Sequence, residues 1–176
     1  MKTRRLLLTT ILVIAFAAMA FAKAGIPDIP TPELPCVDLE ITESSKVIFR
    51  AYAIGVQIYR WNGASWAFVA PEANLYADGG YRGLVGTHYA GPTWESNSGS
   101  KVVAARAGGC TPDPTAIAWL LLKTVAADGP GIFSDVTYIH RLNTVGGSAP
   151  SNPGSWIGEI VRVPYTAEYY FYDAAK

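Results

Sequence analysis

From Lys46 onward the chain alternates. Val47, Phe49, Ala51 and Ala53 interleave with Ile48, Arg50 and Tyr52. A period of two is that of a strand, and apolar residues in both sets predict a strand buried on both faces. The pattern continues from Gly55 to Trp61, with Val56 and Ile58 on one side and Tyr59 and Trp61 on the other. Asn62-Gly63 follows at once. That pair suits the two positive-φ positions of a type I′ hairpin turn, with Ser65–Val69 as the return strand.

Further turn signals divide the rest into short pieces: Asp78-Gly79-Gly80, Asn97-Ser98-Gly99, Asp128-Gly129-Pro130-Gly131 and Gly146-Gly147. Between them lie strand-like runs at Gly83–Tyr89, Lys101–Ala107, Ala118–Thr124, Val136–Asn143, Ile157–Val163 and Tyr165–Tyr172. Residues 115–127 read either way. Their Ala, Leu and Lys content after Pro112-Asp113-Pro114 permits a helix, whereas Thr124, Val125 and the apolar run Trp119–Leu122 favour a strand, the preferred reading. Many short runs with Gly/Pro-rich turns predict an all-β fold, an antiparallel sandwich or barrel with at most one short helix.

The first residues differ in kind. Lys2, Arg4 and Arg5 precede an apolar run from Leu6 to Ala20, and Ala20-Phe21-Ala22 has the small-x-small form of a signal-peptidase site. The expectation is a signal peptide over residues 1–22, cleaved after Ala22, although Ala22-Lys23-Ala24 also fits. The mature protein would then be extracytoplasmic, periplasmic or secreted, with no membrane attachment. Removing 1–22 leaves roughly 150 residues, enough for one core. Residues 23–45 form an arm in which Pro27, Pro30, Pro32 and Pro35 block helix and central strand alike. Residues 46–176 are the single β domain.

Charge narrows the partners. The whole chain has 14 basic and 14 acidic residues. Without its leader it carries a small negative surplus, which disfavours nucleic acid or anionic lipid as the main partner. Cys36 and Cys110 are the only cysteines. In an oxidising compartment they are expected to form one disulfide, closing a loop of about 75 residues.

Several blocks then carry a resemblance. They are Gly55-Val-Gln-Ile-Tyr59, Ala70-Pro-Glu-Ala73, His88-Tyr-Ala-Gly-Pro-Thr-Trp-Glu95 and Trp119-Leu-Leu-Leu122. Val136–Thr144, Gly146-Gly-Ser-Ala-Pro150 and Val163–Tyr172 extend the series over about two-thirds of the chain. Together they resemble the secreted bacterial and fungal family known as domain of unknown function 3455. That family has no established activity, so the resemblance implies membership and no reaction. Family members often carry a Cys near the position of Trp61 and another after the Gly-Gly-x-Ala-Pro block. This chain has neither, which implies a relocated disulfide. The family often has Gln in place of His140, which argues against a role requiring that imidazole.

Some fungal relatives bear a malate dehydrogenase label. A dinucleotide fold needs alternating strand and helix, with a glycine fingerprint opening a helix. The nearest string, Gly129-Pro-Gly-Ile-Phe-Ser134, ends in Ser and opens no helix, so no nicotinamide cofactor is expected. No metal is expected either: the chain has two His, no H-E-x-x-H and no metal-spaced Cys pair. Gly63-Ala-Ser65-Trp-Ala67 starts like a nucleophile elbow but ends in Ala, inside a hairpin.

The candidate site is His88–Ser96. Gly91-Pro92 imposes a bend that can turn His88 and Glu95, an acid/base candidate and a carboxylate partner, toward one pocket. The alternative is structural, with Trp94 plugging a core. Tyr89, Trp94 and Arg141 are the ligand-contact candidates. Arg141 and Asn143 alternate with Tyr138, His140 and Leu142; if their face is inward, Arg141 needs a partner such as Glu95 or Glu168. Tyr165, Tyr169 and Phe171 share one face of the last strand, and Tyr170 and Tyr172 the other. Two classes of function survive. One is a non-enzymatic binding or surface-interaction domain for a glycan or small molecule. The other is an extracytoplasmic hydrolase or isomerase using His88 and Glu95.

Overall fold

The computed structural model describes residues 29–174. The expected signal peptide, residues 1–22, and residues 23–28 of the expected arm lie outside the described residues. Eight antiparallel strands follow one another in chain order: β1 Ser45–Trp61, β2 Trp66–Tyr76, β3 Leu84–Tyr89, β4 Thr93–Ser96, β5 Lys101–Cys110, β6 Trp119–Asp128, β7 Val136–Gly146 and β8 Ile160–Ala174. Each pairs with the next and β8 returns to β1, so the sheet closes into a barrel. The fold is all-β as expected, and among the described residues a single 3-10 turn, at Val37–Leu39, precedes the strands. The ambiguous segment becomes strand β6 from Trp119 onward.

Closure sets the inner residues. Ala51, Ala53, Ala73, Ala104 and Ala167 supply small side chains toward the axis, and Trp94, Phe133, Tyr169 and Phe171 fill the space they leave. Gly55 of β1 lies against the β2 backbone, and a Cβ there would stand 2.1 Å from the Glu72 carbonyl oxygen. One end is plugged. Phe133, from the β6–β7 loop, packs its ring 4.7 Å from Phe171 and 6.0 Å from Phe49.

A second apolar cluster lies outside the barrel, under the arm. Leu39 is fully buried there against Val47, Leu121, Tyr138, Leu142, Tyr170 and Tyr172. This explains why β1, β7 and β8 are apolar on both faces. Cys36 and Cys110 form the disulfide that ties the arm to β5. The two faces of β8 divide as expected, with Tyr165, Tyr169 and Phe171 inside and Tyr170 and Tyr172 outside.

Three local expectations are corrected. Val47 does not share a face with Phe49, because a bulge between them turns Val47 outward and Phe49 inward. The β1–β2 turn is a four-residue loop closed by the Trp61–Trp66 pair, not a two-residue turn. Only Gly63 of that dipeptide takes positive φ, while the Asn62 side chain accepts hydrogen bonds from the amides of Ala64 and Ser65. Finally, Ile157–Val163 and Tyr165–Tyr172 belong largely to one strand, which begins at Ile160 and runs through Pro164.

Candidate functional site: a barrel cavity open at one end

Opposite the Phe133 plug the barrel holds a cavity of about 440 Å³, within the ordinary range of small-molecule sites. Its rim includes the exposed residues Phe68, Pro92, Arg106 and Ala149, and its floor includes the buried Gln57, His88, Trp94 and Tyr169. Ile117, Leu120 and Leu122 give it an apolar wall.

The β3–β4 hairpin explains the floor. Its register opposes His88 to Trp94 and Thr87 to Glu95. Opposed residues share a face and successive residues alternate. His88 and Trp94 therefore point inward, stacked with ring centroids 4.2 Å apart, and Glu95 points out. There the Tyr89 hydroxyl donates to Glu95 at 2.7 Å, and Lys101 lies 3.5 Å from the same carboxylate. That hydrogen bond also holds the Tyr89 phenol pKa above its ordinary value. The expected convergence of His88 and Glu95 does not form, because the sheet stands between them. Of the ligand-contact candidates, Trp94 and Arg141 reach the cavity and Tyr89 does not.

His88 is neutral. Burial depresses its pKa to about 3, outweighing the bond to the Thr93 carbonyl. Nδ1 lies 2.9 Å from that oxygen, so the proton sits on Nδ1 and Nε2 presents a lone pair.

Arg141 faces inward, opposed to Leu120 and Tyr169, and its neighbour Asn143 is exposed at positive φ beside a bulge. Neither expected carboxylate reaches Arg141. Glu95 is outside, and Glu168, also outside, accepts from Arg50 Nε at 3.1 Å. The guanidinium donates instead through Nε and Nη2 to the Ala118 carbonyl, at 3.1 and 2.8 Å. Among the described residues no carboxylate pairs with it. Its charge is felt across the floor: burial raises the Tyr169 phenol pKa, and Arg141 works against that rise.

Two further donors have no partner. Gln57 Nε2 and Trp94 Nε1 are buried without a hydrogen bond, and both residues line the cavity. A buried unmet donor costs about 1–3 kcal/mol. Gln57 was not singled out in the sequence, yet a signal was present: it is a polar residue on the inward stripe of β1, two positions before Tyr59.

His140 is outside the barrel and serves the arm. Its Nε2 donates to the Leu39 carbonyl at 2.7 Å, and Nδ1 bonds the Tyr172 hydroxyl at 2.9 Å. Burial lowers its pKa.

The family model described as "Protein of unknown function (DUF3455)" matches residues 41–173. The chain belongs to this family. The DUF3455 match covers all eight strands except the last residue of β8, and it starts just after the 3-10 turn. No curated protein and no solved structure matches. Within this DUF3455 barrel the Gly129–Ser134 string forms the loop that carries the Phe133 plug and leads into strand β7, not a helix. Among the described residues no three His, Cys, Asp or Glu side chains converge as metal ligands do.

Proposed function

We propose that this protein is an exported, non-enzymatic binding domain that holds a small molecule inside its barrel. The observation that carries the reading is the cavity itself. It is open at one end and apolar along its wall, with unpaired polar groups gathered on its floor. That distribution suits a ligand that enters apolar surface first or last and fixes its orientation by a few polar contacts. A glycan fits less well, because its many hydroxyls would be desolvated against Leu120, Leu122 and Ile117. The enzyme alternative loses its motivating pair, since His88 and Glu95 cannot act on one atom from opposite faces.

Export is supported by the leader sequence and by the disulfide, a bond favoured in oxidising compartments. Charged pairs such as Arg162–Glu72 and Lys101–Glu95 on the outer face suit a water-facing barrel rather than a lipid-facing one.

The neutral fluorophore 1-aminoanthracene tests the reading. It should bind saturably, about one per chain, with increased emission. Ala149→Trp places an indole at the exposed rim and should abolish that binding while leaving circular dichroism unchanged. Absence of saturable binding, or wild-type binding by a folded A149W, would reject the cavity as a ligand site.

A further inference from the structure

We infer that the ligand is a small organic acid, with its carboxylate on Arg141 and its hydrocarbon or aromatic body along the apolar wall. The inference rests on the binding reading above and names its ligand class. Three observations support it.

The first is charge. Arg141 brings a guanidinium cation to the cavity and faces it without a carboxylate partner among the described residues. The ion pairs of the described residues engage other cations: Arg50, Arg82, Lys101, Lys123 and Arg162. Arg106 adds a second positive charge at the rim. The cavity lining thus carries positive charge and no carboxylate.

The second is the surplus of donors. The Ala118 carbonyl takes only part of the guanidinium's hydrogen-bonding capacity. The Gln57 amide nitrogen and the Trp94 indole nitrogen add donors with no acceptor. A carboxylate is acceptor-only when ionised and matches the guanidinium fork with two parallel bonds. An amine would meet Arg141 with like charge.

The third is the wall. A bare inorganic anion would leave Leu120, Leu122 and the Tyr59 and Phe68 rings uncovered. A carboxylate with an apolar tail uses both parts of the cavity.

The experiment compares three probes with one body: decanoate, decanol and decylamine, each displacing 1-aminoanthracene from the full mature chain at neutral pH. Decanoate should bind at least about tenfold tighter than decanol, the ratio expected of a charge-assisted hydrogen bond, and decylamine weakest. Arg141→Gln should erase the acid preference and leave decanol within about threefold of wild type. Arg141→Lys keeps the charge without the fork and should fall between; it also serves if R141Q fails to fold. Equal affinities, or decylamine tightest, would overturn the acid assignment while leaving a ligand cavity in place. A folded R141Q that still prefers decanoate would overturn the role of Arg141. Displacement by none of the three would overturn the acid assignment, and if 1-aminoanthracene itself fails to bind, the cavity reading falls with it.

Discussion

Acidification probes the barrel floor directly. Burial holds the His88 pKa at about 3, against an ordinary 6.5. Between those values the unfolded chain takes up a proton that the folded chain excludes. The stability from this group is therefore complete above about pH 6.5 and is lost as pH falls toward 3. One proton gives a slope approaching about 1.4 kcal/mol per pH unit, or about 4–5 kcal/mol over the whole window. That is a large share of the roughly 5–15 kcal/mol that holds a domain together. His140 acts in the same sense, since burial lowers its pKa too. Glu43 and Asp113, both lowered chiefly by side-chain hydrogen bonds, also lose stability on acidification, at lower pH. A His88 variant is needed to separate the contributions. His88→Asn retains a side-chain N–H that can reach the Thr93 carbonyl and has no proton to gain. Urea unfolding followed by circular dichroism, from about pH 7 to about pH 4.5, gives both stability curves. The variant should start lower, through lost stacking on Trp94, and then fall less steeply. By about pH 4.5 the wild type should have lost about 2–3 kcal/mol more than the variant. Parallel curves would refute the burial of a neutral imidazole.

Other consequences can be measured in the same way. Replacing Cys36 and Cys110 together by Ala should cost about 3–5 kcal/mol in urea unfolding, because the bridge spans a separation of 74 residues. The same double variant should expose the arm to limited proteolysis near Leu39. Phe133→Ala removes a fully buried ring from the closed end and should cost about 3–5 kcal/mol. A stability within about 1 kcal/mol of wild type would mean that the ring does not plug the barrel. Gly55→Val drives a side chain into the Glu72–Ala73 backbone and should lower the melting temperature by several degrees, equivalent to about 1–3 kcal/mol; an unchanged Tm would contradict the close approach of β1 and β2 there.

The sequence carries the period-two pattern of most strands openly, and their closure only indirectly. Small inner residues such as Ala51, Ala53 and Ala73 are compatible with a sandwich as well as a barrel, and only the pairing of β8 with β1 separates the two. The bulge at Ile48 is hidden for a different reason. An inserted residue shifts every face assignment before it, yet the residues around it remain ordinary strand formers. The His88–Glu95 pairing failed on register: a tight turn at Gly91-Pro92 opposes His88 to Trp94, and so sends Glu95 to the other face. Arg141 was legible as a cation that would need a partner if its face turned inward, as it does. Its partner was not, since a carbonyl from the β5–β6 connection leaves no mark in the side-chain sequence.

The central claim is that a small acid occupies the floor of the barrel, and Trp94 reports on it. Each of the five tryptophans gives one indole N–H signal in a ¹⁵N-labelled sample. Trp94 Nε1 is buried without a partner, whereas Trp66 Nε1 already donates to the Asn152 carbonyl and Trp156 is exposed. On titration with decanoate the Trp94 indole signal should move downfield and saturate, while those of Trp61, Trp66, Trp119 and Trp156 stay in place. Saturable shifts confined to the outer tryptophans, or no shift at any of them, would contradict the account.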